Sequence, residues 1–287
     1  MKPDEKSGFF LDNHFCFRYN RIRILIGSDD MFRQGEYRIV SKKNLAKGIY
    51  DIEILCPEVA EIAEAGQFVQ ATAEGFFLRR PISICDIDKD KGTIRLVFEI
   101  RGKGTEKLAE LNCGDNIDLI APLGKGFKKI GKNKKVICVG GGIGTPPMVS
   151  IAKEYGENAT AISGFRNMAA VILQEDFKKM GARSVLCTDD GTVGRKGFVT
   201  DALRDEIKAE KPDIVYACGP MLMLKNVATI CKENGIECQV SLEQRMACGV
   251  GACLVCVCKT VKDGEEFNSH VCKDGPVFDS EEVLFDE

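Results

Sequence analysis

The sequence predicts three consecutive parts: an antiparallel β-barrel, an α/β domain with a parallel sheet, and a small cysteine-rich segment at the C-terminus. Short stretches between residues 37 and 123 alternate apolar and polar residues with a period of two, as half-buried strands do. From residue 136 onward, continuous apolar runs alternate with helical segments, which is typical of a parallel sheet covered by helices. Cysteine and glycine then dominate up to a short acidic tail.

The composition argues against several classes of protein. The chain has 287 residues, enough for two domains and a small appendage, and its net charge of −3 argues against nucleic-acid binding. Its 14 cysteines could suit a secreted disulfide scaffold, but 44% hydrophobic residues supply the core that such scaffolds lack. We find neither a signal peptide nor an apolar run long enough to span a membrane, so the sequence predicts a location in the reducing cytoplasm.

We divide the chain into four regions by pattern. Residues 1–35 show no clear period and form an N-terminal extension. Either translation starts at Met31, or the extension is real but poorly ordered. The barrel is predicted at 36–128, the α/β domain at 129–239 and the cysteine-rich segment at 240–287.

The barrel prediction depends on short strands without long helices between them. Strands are predicted at 37–40, 50–55, 66–69, 93–100 and 115–120, with one helix from Thr105 to Leu111. Six or so such strands suit a small antiparallel barrel.

Two motifs in the barrel region could bind anions. Arg79-Arg80-Pro81-Ile82-Ser83 offers two cations and a hydroxyl to a phosphate or a heteroaromatic edge, although it could be a solvated strand start with an edge proline. Arg101-Gly102-Lys103-Gly104-Thr105 precedes the predicted helix, where a pyrophosphate could lie against the N-terminus. The alternative is a simple threonine N-cap.

A glycine loop opens the α/β region. The apolar strand 136–139 leads into Gly140-Gly141-Gly142-Ile143-Gly144-Thr145 and a helix near Pro146, which presents backbone N–H groups to a phosphate. The spacing is not G-x-G-x-x-G, so an ordinary tight turn remains an alternative. Further strands are predicted at 159–163, 184–187 and 214–218, and further helices at 174–180, 200–209 and 221–234.

Four cysteines near the C-terminus have the spacing C-x4-C-x2-C-x15-C, which suits four thiolate ligands of a [2Fe–2S] cluster: Cys248, Cys253, Cys256 and Cys272. Gly249 and Gly251 favour this interpretation, because such a loop brings backbone N–H groups close to sulfur and can need positive φ. Cys258 is an alternative ligand, since period-two alternation points it the same way as Cys256. A structural zinc site is a second alternative. His270 lacks the second histidine that a Rieske site needs.

The barrel, Arg-Pro-x-Ser, Gly-Thr at a helix start and the following nucleotide domain together resemble the ferredoxin–NADP⁺ reductase superfamily over residues 36–240. The resemblance implies FAD, with Arg80, Gly104 and Thr105 on the pyrophosphate and Ser83 near the isoalloxazine. It also places Cys218-Gly219-Pro220 where the nicotinamide meets the flavin; the alternative for Cys218 is a small buried residue at a strand end. The complete set of predicted cofactor-binding residues is Arg80, Pro81, Ile82, Ser83, Val97, Phe98, Glu99, Gly104, Thr105, Gly140, Gly141, Gly142, Gly144, Thr145, Cys218, Gly219 and Pro220.

Residues 243–253 and 271–278 resemble the electron-transfer subunit of bacterial class 1B dihydroorotate dehydrogenases. Related subunits of NADPH:ferredoxin oxidoreductases and sulfide dehydrogenases tend to carry aspartate at the first ligand position, where this chain has Cys248. The family leaves Cys258 out of the ligand set and supplies no role for the leader before Met31.

The resemblance implies an oxidoreductase subunit in pyrimidine biosynthesis. NADH, FAD and the [2Fe–2S] cluster would exchange electrons with an FMN-bearing catalytic subunit, in a heterotetramer whose physiological flow runs from dihydroorotate toward NAD⁺. Acid–base residues for dihydroorotate oxidation are expected on the partner chain. One alternative is the same architecture serving ferredoxin, polysulfide or hydrogenase partners. Another is a non-catalytic nucleotide-binding protein with structural zinc.

The choice between NAD and NADP is poorly determined by the residues themselves. Arg166 follows the second α/β strand and could meet a 2′-phosphate or only the adenine ring. Asp189-Asp190-Gly191 is either a nucleotide-side loop or a plain turn. We predict NADH from the family resemblance.

Overall fold

The computed structural model describes residues 32–285. Met31 and the leader before it lie outside the described residues, so the predicted alternative start stays a prediction. Within the described range, no helix combines the length and apolar character needed to cross a membrane.

Six antiparallel strands close into a barrel in the order β1-β2-β5-β4-β3-β6. Alternate residues of these strands, such as Ile52 and Ile54, fill its interior because successive side chains point to opposite faces. The predicted barrel is therefore confirmed. Its strands are β1 Arg33–Ala46, β2 Ile49–Leu55, β3 Phe68–Ala71, β4 Arg80–Asp88, β5 Thr93–Glu99 and β6 Asn116–Leu123.

Two short helices accompany the barrel: α1 (Pro57–Ala60) and α2 (Lys103–Glu110). Helix α2 begins before the predicted Thr105, because the Glu106 N–H already donates to the Gly102 carbonyl at 2.9 Å. Gly102 is thus the N-cap, and the alternative of a threonine N-cap is wrong.

The second part is a seven-stranded sheet in the order β10-β9-β8-β7-β11-β12-β15, parallel except for β15. Strand order reverses between β7 and β11, so a crevice opens at their carboxyl ends, where ligands of such sheets bind. The elements are β7 Val136–Gly141, α3 Pro146–Tyr155, β8 Ala159–Phe165, α4 Gln174–Lys179, β9 Arg183–Thr188, β10 Arg195–Lys196, α5 Val199–Ala209, β11 Ile214–Cys218, α6 Met221–Glu233 and β12 Glu237–Ser241.

The C-terminal segment contains a cysteine loop, a hairpin and a last strand. The hairpin pairs β13 (Val257–Lys262) with β14 (Glu265–His270), and β15 (Val277–Asp279) joins the α/β sheet beside β12. The proposed boundary at residue 240 therefore falls within β12, and the segment is continuous with the α/β sheet.

Core packing joins the three parts. Phe68 of the barrel shares a hydrophobic cluster with Val240 of the sheet and with Cys256 and Cys272 of the cysteine loop. On the other side of the barrel, Arg95 forms ion pairs with Asp51 at 2.8 Å and with Asp176 of α4. These contacts fix the crevice of the sheet against the outer face of the barrel.

Candidate functional site

Two adjoining cavities occupy the cleft between the barrel and the α/β sheet. The smaller has a volume of about 200 Å³ and lies against β4 and β5. The larger, about 740 Å³, lies at the carboxyl ends of β7, β8 and β11. Glu99, Arg101, Ile143 and Glu243 line both cavities, so the two form one continuous cleft.

The smaller cavity collects most of the residues that we predict to contact the flavin. The predicted residues in its wall are Pro81, Ile82, Ser83, Val97, Phe98, Glu99 and Thr105. Another part of the wall was missed, because most of it lies at or just after the end of β12, a strand that the sequence pattern does not reveal. It consists of Ser241, Leu242, Glu243, Gln244, Met246 and Pro276.

Arg80 places a cation at the N-terminus of α2. Its guanidinium lies so close to Gly104 that a Cβ at this position would overlap it. The side chain also donates to the Leu78 carbonyl at 2.8 Å and lies 5.1 Å from the ring centre of Phe76. Arg80 and the α2 N-terminus together can bind an anion beside the smaller cavity.

The two adjacent arginines have different surroundings. Arg79 pairs with Asp118 at 2.7 Å and donates to backbone carbonyls of neighbouring strands. Its charge is therefore used within the barrel, whereas the guanidinium of Arg80 faces α2.

Thr105, the third residue of α2, orders the loop before the helix. Its hydroxyl accepts from the Arg101 N–H at 2.9 Å and donates to the Gly102 carbonyl at 3.0 Å. This holds Arg101, a residue of the predicted anion-binding motif, in the wall of both cavities.

The larger cavity is lined by Gly141, Gly142, Gly144, Gly219 and Pro220 of the two predicted nucleotide loops. Gly142 has a positive φ of 55° and open space where a Cβ would lie. At Gly144 a Cβ would lie 2.6 Å from the Gly219 Cα, so the close approach of the two loops requires glycine there. The loops thus expose backbone that a bulky side chain would cover.

Three predicted residues lie behind this wall: Gly140, Thr145 and Cys218. Cys218 is 1% exposed and stands in register with Gly140 on one side and Ser241 on the other. Burial raises the pKa of the Cys218 thiol to about 12, so the thiol is neutral at pH 7. Thr145 is fully buried, and within residues 32–285 its hydroxyl has no hydrogen-bond partner.

The larger cavity also contains residues that the predicted set omits. Arg166 and Asp189, considered above for nucleotide specificity, both line it. Phe198 and Leu222 line it with 65% and 71% of their surface exposed. No sequence motif marks these two positions, but each stands at the start of a helix that follows a strand. The remaining lining residues are Ile49, Gly164, Phe165, Asn167, Ala170, Gly197, Val199, Thr200, Met223 and Asn226.

The cysteine loop brings the four predicted ligands together as two pairs. Cys253 lies close enough to Cys248 to influence the pKa of its thiol, and Cys256 lies close enough to Cys272 to do the same. Two pairs of thiols suit a cluster of two irons with two cysteine ligands on each. Gly249 and Gly251 have φ of 72° and 78°, the positive values expected of such a loop.

Backbone N–H groups point at the sulfur atoms. The Val250 N–H donates to Cys248 Sγ at 3.5 Å, and the Gly251 N–H donates to Cys272 Sγ at 3.1 Å. Burial alone would raise the pKa of Cys248, but hydrogen bonds from the backbone and from Cys253 lower it to about 7. The loop therefore stabilises thiolates, the form that binds metal.

Cys258 lies outside both pairs. It stands in β13 opposite Ser269, and burial together with the nearby Cys256 raises its pKa to about 11. His270 lies 3.5 Å from the Asp274 carboxylate and is the one histidine within residues 32–285. Both placements agree with a ligand set that excludes these two residues.

Comparison with known proteins identifies matching families for both C-terminal parts. Residues 243–284 match the iron–sulfur cluster binding domain of dihydroorotate dehydrogenase B. Residues 138–229 match the oxidoreductase NAD-binding domain. The predicted NAD and iron–sulfur cofactors are confirmed at this level.

Relatives match nearly the whole chain. The electron transfer subunit of dihydroorotate dehydrogenase B (NAD(+)) from Listeria welshimeri is 38% identical, covering 87% of this chain and 98% of the relative. That from Caldanaerobacter subterraneus subsp. tengcongensis is 39% identical, covering 86% and 97%.

Solved structures confirm the predicted reductase fold. A structure described as an NADH-dependent reduced ferredoxin–NADP oxidoreductase that performs flavin-based electron bifurcation is 33% identical. It has a TM-score of 0.77 and covers 87% of this chain and 90% of its own. The FAD/NAD-binding domain of nitric oxide dioxygenase from Vibrio cholerae is 18% identical, with a TM-score of 0.60, covering 72% and 99%. The 33% identical structure is described as flavin-based, which adds the predicted FAD to the NAD and iron–sulfur cofactors. The chain therefore belongs to the family of electron transfer subunits of dihydroorotate dehydrogenase B.

Proposed function

We propose that this chain carries electrons between NAD and an FMN-containing catalytic subunit that oxidises dihydroorotate. FAD would lie in the smaller cavity, NAD in the larger one and a [2Fe–2S] cluster in the cysteine loop. The observation that carries the proposal is the spatial order of these sites. The two cavities share a wall, and Met246 of the smaller cavity belongs to the same loop as Cys248.

When bound, FAD supplies the exchange between hydride and single electrons, and the cluster supplies single-electron transfer. The residues of this chain bind and orient the groups. Arg80 and the N-terminus of α2 attract the pyrophosphate, and Ser83 offers a hydroxyl to the ring edge. Apolar side chains of the smaller cavity, among them Phe68 and Val97, exclude water.

On the nucleotide side, Gly142 and Gly144 present backbone to the phosphates of NAD. Cys218 ends β11, and Gly219 and Pro220 follow it in the wall of the larger cavity, where a nicotinamide would meet the flavin. Gly140 acts from behind, because a Cβ there would lie 2.7 Å from the Thr145 Cα and the loop could not turn as tightly above β7.

The cysteine loop provides the exit toward the partner. Leu254 and Val255, between two proposed ligands, are 77% and 51% exposed. Exposed apolar residues beside a redox group are typical of a surface that a partner covers. We propose that the catalytic subunit docks here within a cytoplasmic heterotetramer, with physiological flow from dihydroorotate toward NAD⁺.

A second candidate is the same relay serving ferredoxin. It is supported by the solved reductase at 33% identity, whereas the dihydroorotate relatives reach 39%. Cys248 at the first ligand position favours the dihydroorotate system. Structural zinc has less support, because the cysteine loop lies within residues 243–284, which match an iron–sulfur cluster binding domain.

The experiment that tests the relay is anaerobic purification of the wild type and of Cys253→Ser, with Cys258→Ser as the matched control. Wild type and control should contain about one FAD and about two irons per chain. Cys253→Ser should lose the iron and the acid-labile sulfide but retain NADH-driven dye reduction. Zinc without sulfide, or loss of dye reduction while FAD stays bound, would contradict the proposed order.

A further inference from the structure

The barrel contributes one unsatisfied polar side chain to the cysteine loop: Gln70 of β3. This residue is 0% exposed, and within residues 32–285 neither its amide nitrogen nor its amide oxygen has a hydrogen-bond partner. A buried amide without partners is costly and therefore rare in folded proteins. Its presence points to a partner that the protein chain itself does not provide.

The position of Gln70 shows where that partner would lie. Val69 and Ala71 point into the barrel core, so Phe68 and Gln70 face outward. Phe68 packs in the same cluster as Cys256 and Cys272, which means that the cysteine loop covers this face of β3.

The Gln70 amide lies directly against the loop backbone beside the first proposed ligand. A Cβ on Gly249 would lie 2.6 Å from Gln70 Cγ and 2.7 Å from Nε2. Gly249 follows Cys248, so the amide lies at the Cys248 corner of the site. Gln70 lines neither cavity of the cleft, and a flavin or a nucleotide in those cavities would therefore not reach it.

We propose that Gln70 is a positioning residue for the iron–sulfur cluster, donating its amide N–H to a sulfide of the cluster at the Cys248 corner. This proposal rests on the proposed function, since it needs a cluster in the loop. Sulfur atoms of a cluster accept hydrogen bonds, and such bonds set its reduction potential. An N–H donor stabilises the more negative reduced state, so Gln70 raises the potential and favours reduction of the cluster.

The test compares anaerobically purified wild type with Gln70→Met, which keeps the length of the side chain and removes the donor. At a solution potential equal to the wild-type midpoint, the ratio of reduced to oxidised cluster should fall about three- to tenfold in Gln70→Met. This corresponds to a midpoint lower by about 30–60 mV in an EPR-monitored titration.

Gln239→Met is the matched control. Gln239 is also buried, but its amide accepts from the Lys128 N–H at 2.9 Å and donates to the Lys128 carbonyl at 3.1 Å. This variant should lose thermal stability without changing the midpoint. Equal midpoints in wild type and Gln70→Met would overturn the proposal, as would an equal shift in both variants.

A second measurement uses only the wild type, in case Gln70→Met fails to assemble a cluster. With ¹⁵N in the glutamine side-chain amides, pulsed EPR of the reduced cluster should detect coupling to a side-chain nitrogen. A cluster signal without this coupling would overturn the role of Gln70 and leave the relay intact. Absence of any [2Fe–2S] signal would overturn the proposed function and this proposal with it.

Discussion

Substitution of Gly104 by alanine should weaken FAD binding without weakening the fold. Gly104 is the second residue of α2, and a Cβ there would overlap the guanidinium of Arg80. Helix propensity favours alanine over glycine by up to ~1 kcal/mol, so the helix itself gains stability. The guanidinium, however, must leave the N-terminus of α2, where we place the pyrophosphate.

The loss of FAD-binding free energy equals the contribution of the hydrogen bond that Arg80 can no longer donate to the pyrophosphate. A hydrogen bond to a charged group contributes ~1.5–3 kcal/mol, which corresponds to roughly 10- to 100-fold weaker FAD binding. The assay is the FAD dissociation constant from flavin fluorescence, measured together with the free energy of unfolding.

Gly102→Ala is the matched control. Its φ of 171° is extended backbone, and no atom lies within 4 Å of where its Cβ would be. This variant should bind FAD like the wild type. If Gly104→Ala did so too, or if it weakened binding further in an Arg80→Ala background, the assignment of the pyrophosphate to Arg80 would be refuted.

Three further predictions concern the nucleotide and partner sites. Gly144→Ala should suppress NADH-driven dye reduction while FAD stays bound, because the new Cβ would lie 2.6 Å from the Gly219 Cα and push the two nucleotide loops apart. Normal turnover in a stopped-flow assay would contradict this. NADH should be preferred over NADPH, because the Asp189 carboxylate in the larger cavity repels a 2′-phosphate. Asp189→Ala should reduce that preference. An unchanged ratio of the kcat/KM values for NADH and NADPH would exclude this role. Leu254→Asp should weaken binding of the catalytic subunit by at least about tenfold while dye reduction by NADH is unchanged. If a titration gave the same affinity for the variant as for the wild type, Leu254 would not belong to the docking surface.

Local patterns predicted the elements whose residues carry their own signal. Period-two strands such as β2 and β5, the glycine loop after β7 and the positive φ of Gly249 and Gly251 follow from side-chain alternation or from backbone sterics. Both properties are encoded within a few residues, so the sequence alone reveals them.

Features that depend on distant partners were not predictable. Arg79 and Arg80 look equivalent in the sequence, but Asp118 on another strand pairs with Arg79. The wall after β12 and strand β15 exist because the C-terminal segment returns to the sheet. Gln70 is an ordinary polar residue just after the predicted strand 66–69, and only the loop that packs over it shows that its amide is buried.

If this chain links dihydroorotate oxidation to NAD, the complete complex must couple the two reactions. The most direct measurement is dihydroorotate-dependent NAD⁺ reduction by the native complex, purified anaerobically with its partner. The complex should produce NADH, and the catalytic subunit alone should oxidise dihydroorotate with an artificial dye but not with NAD⁺. Co-purification with a ferredoxin-dependent partner, or a native complex that reduces NAD⁺ with no response to dihydroorotate, would contradict it.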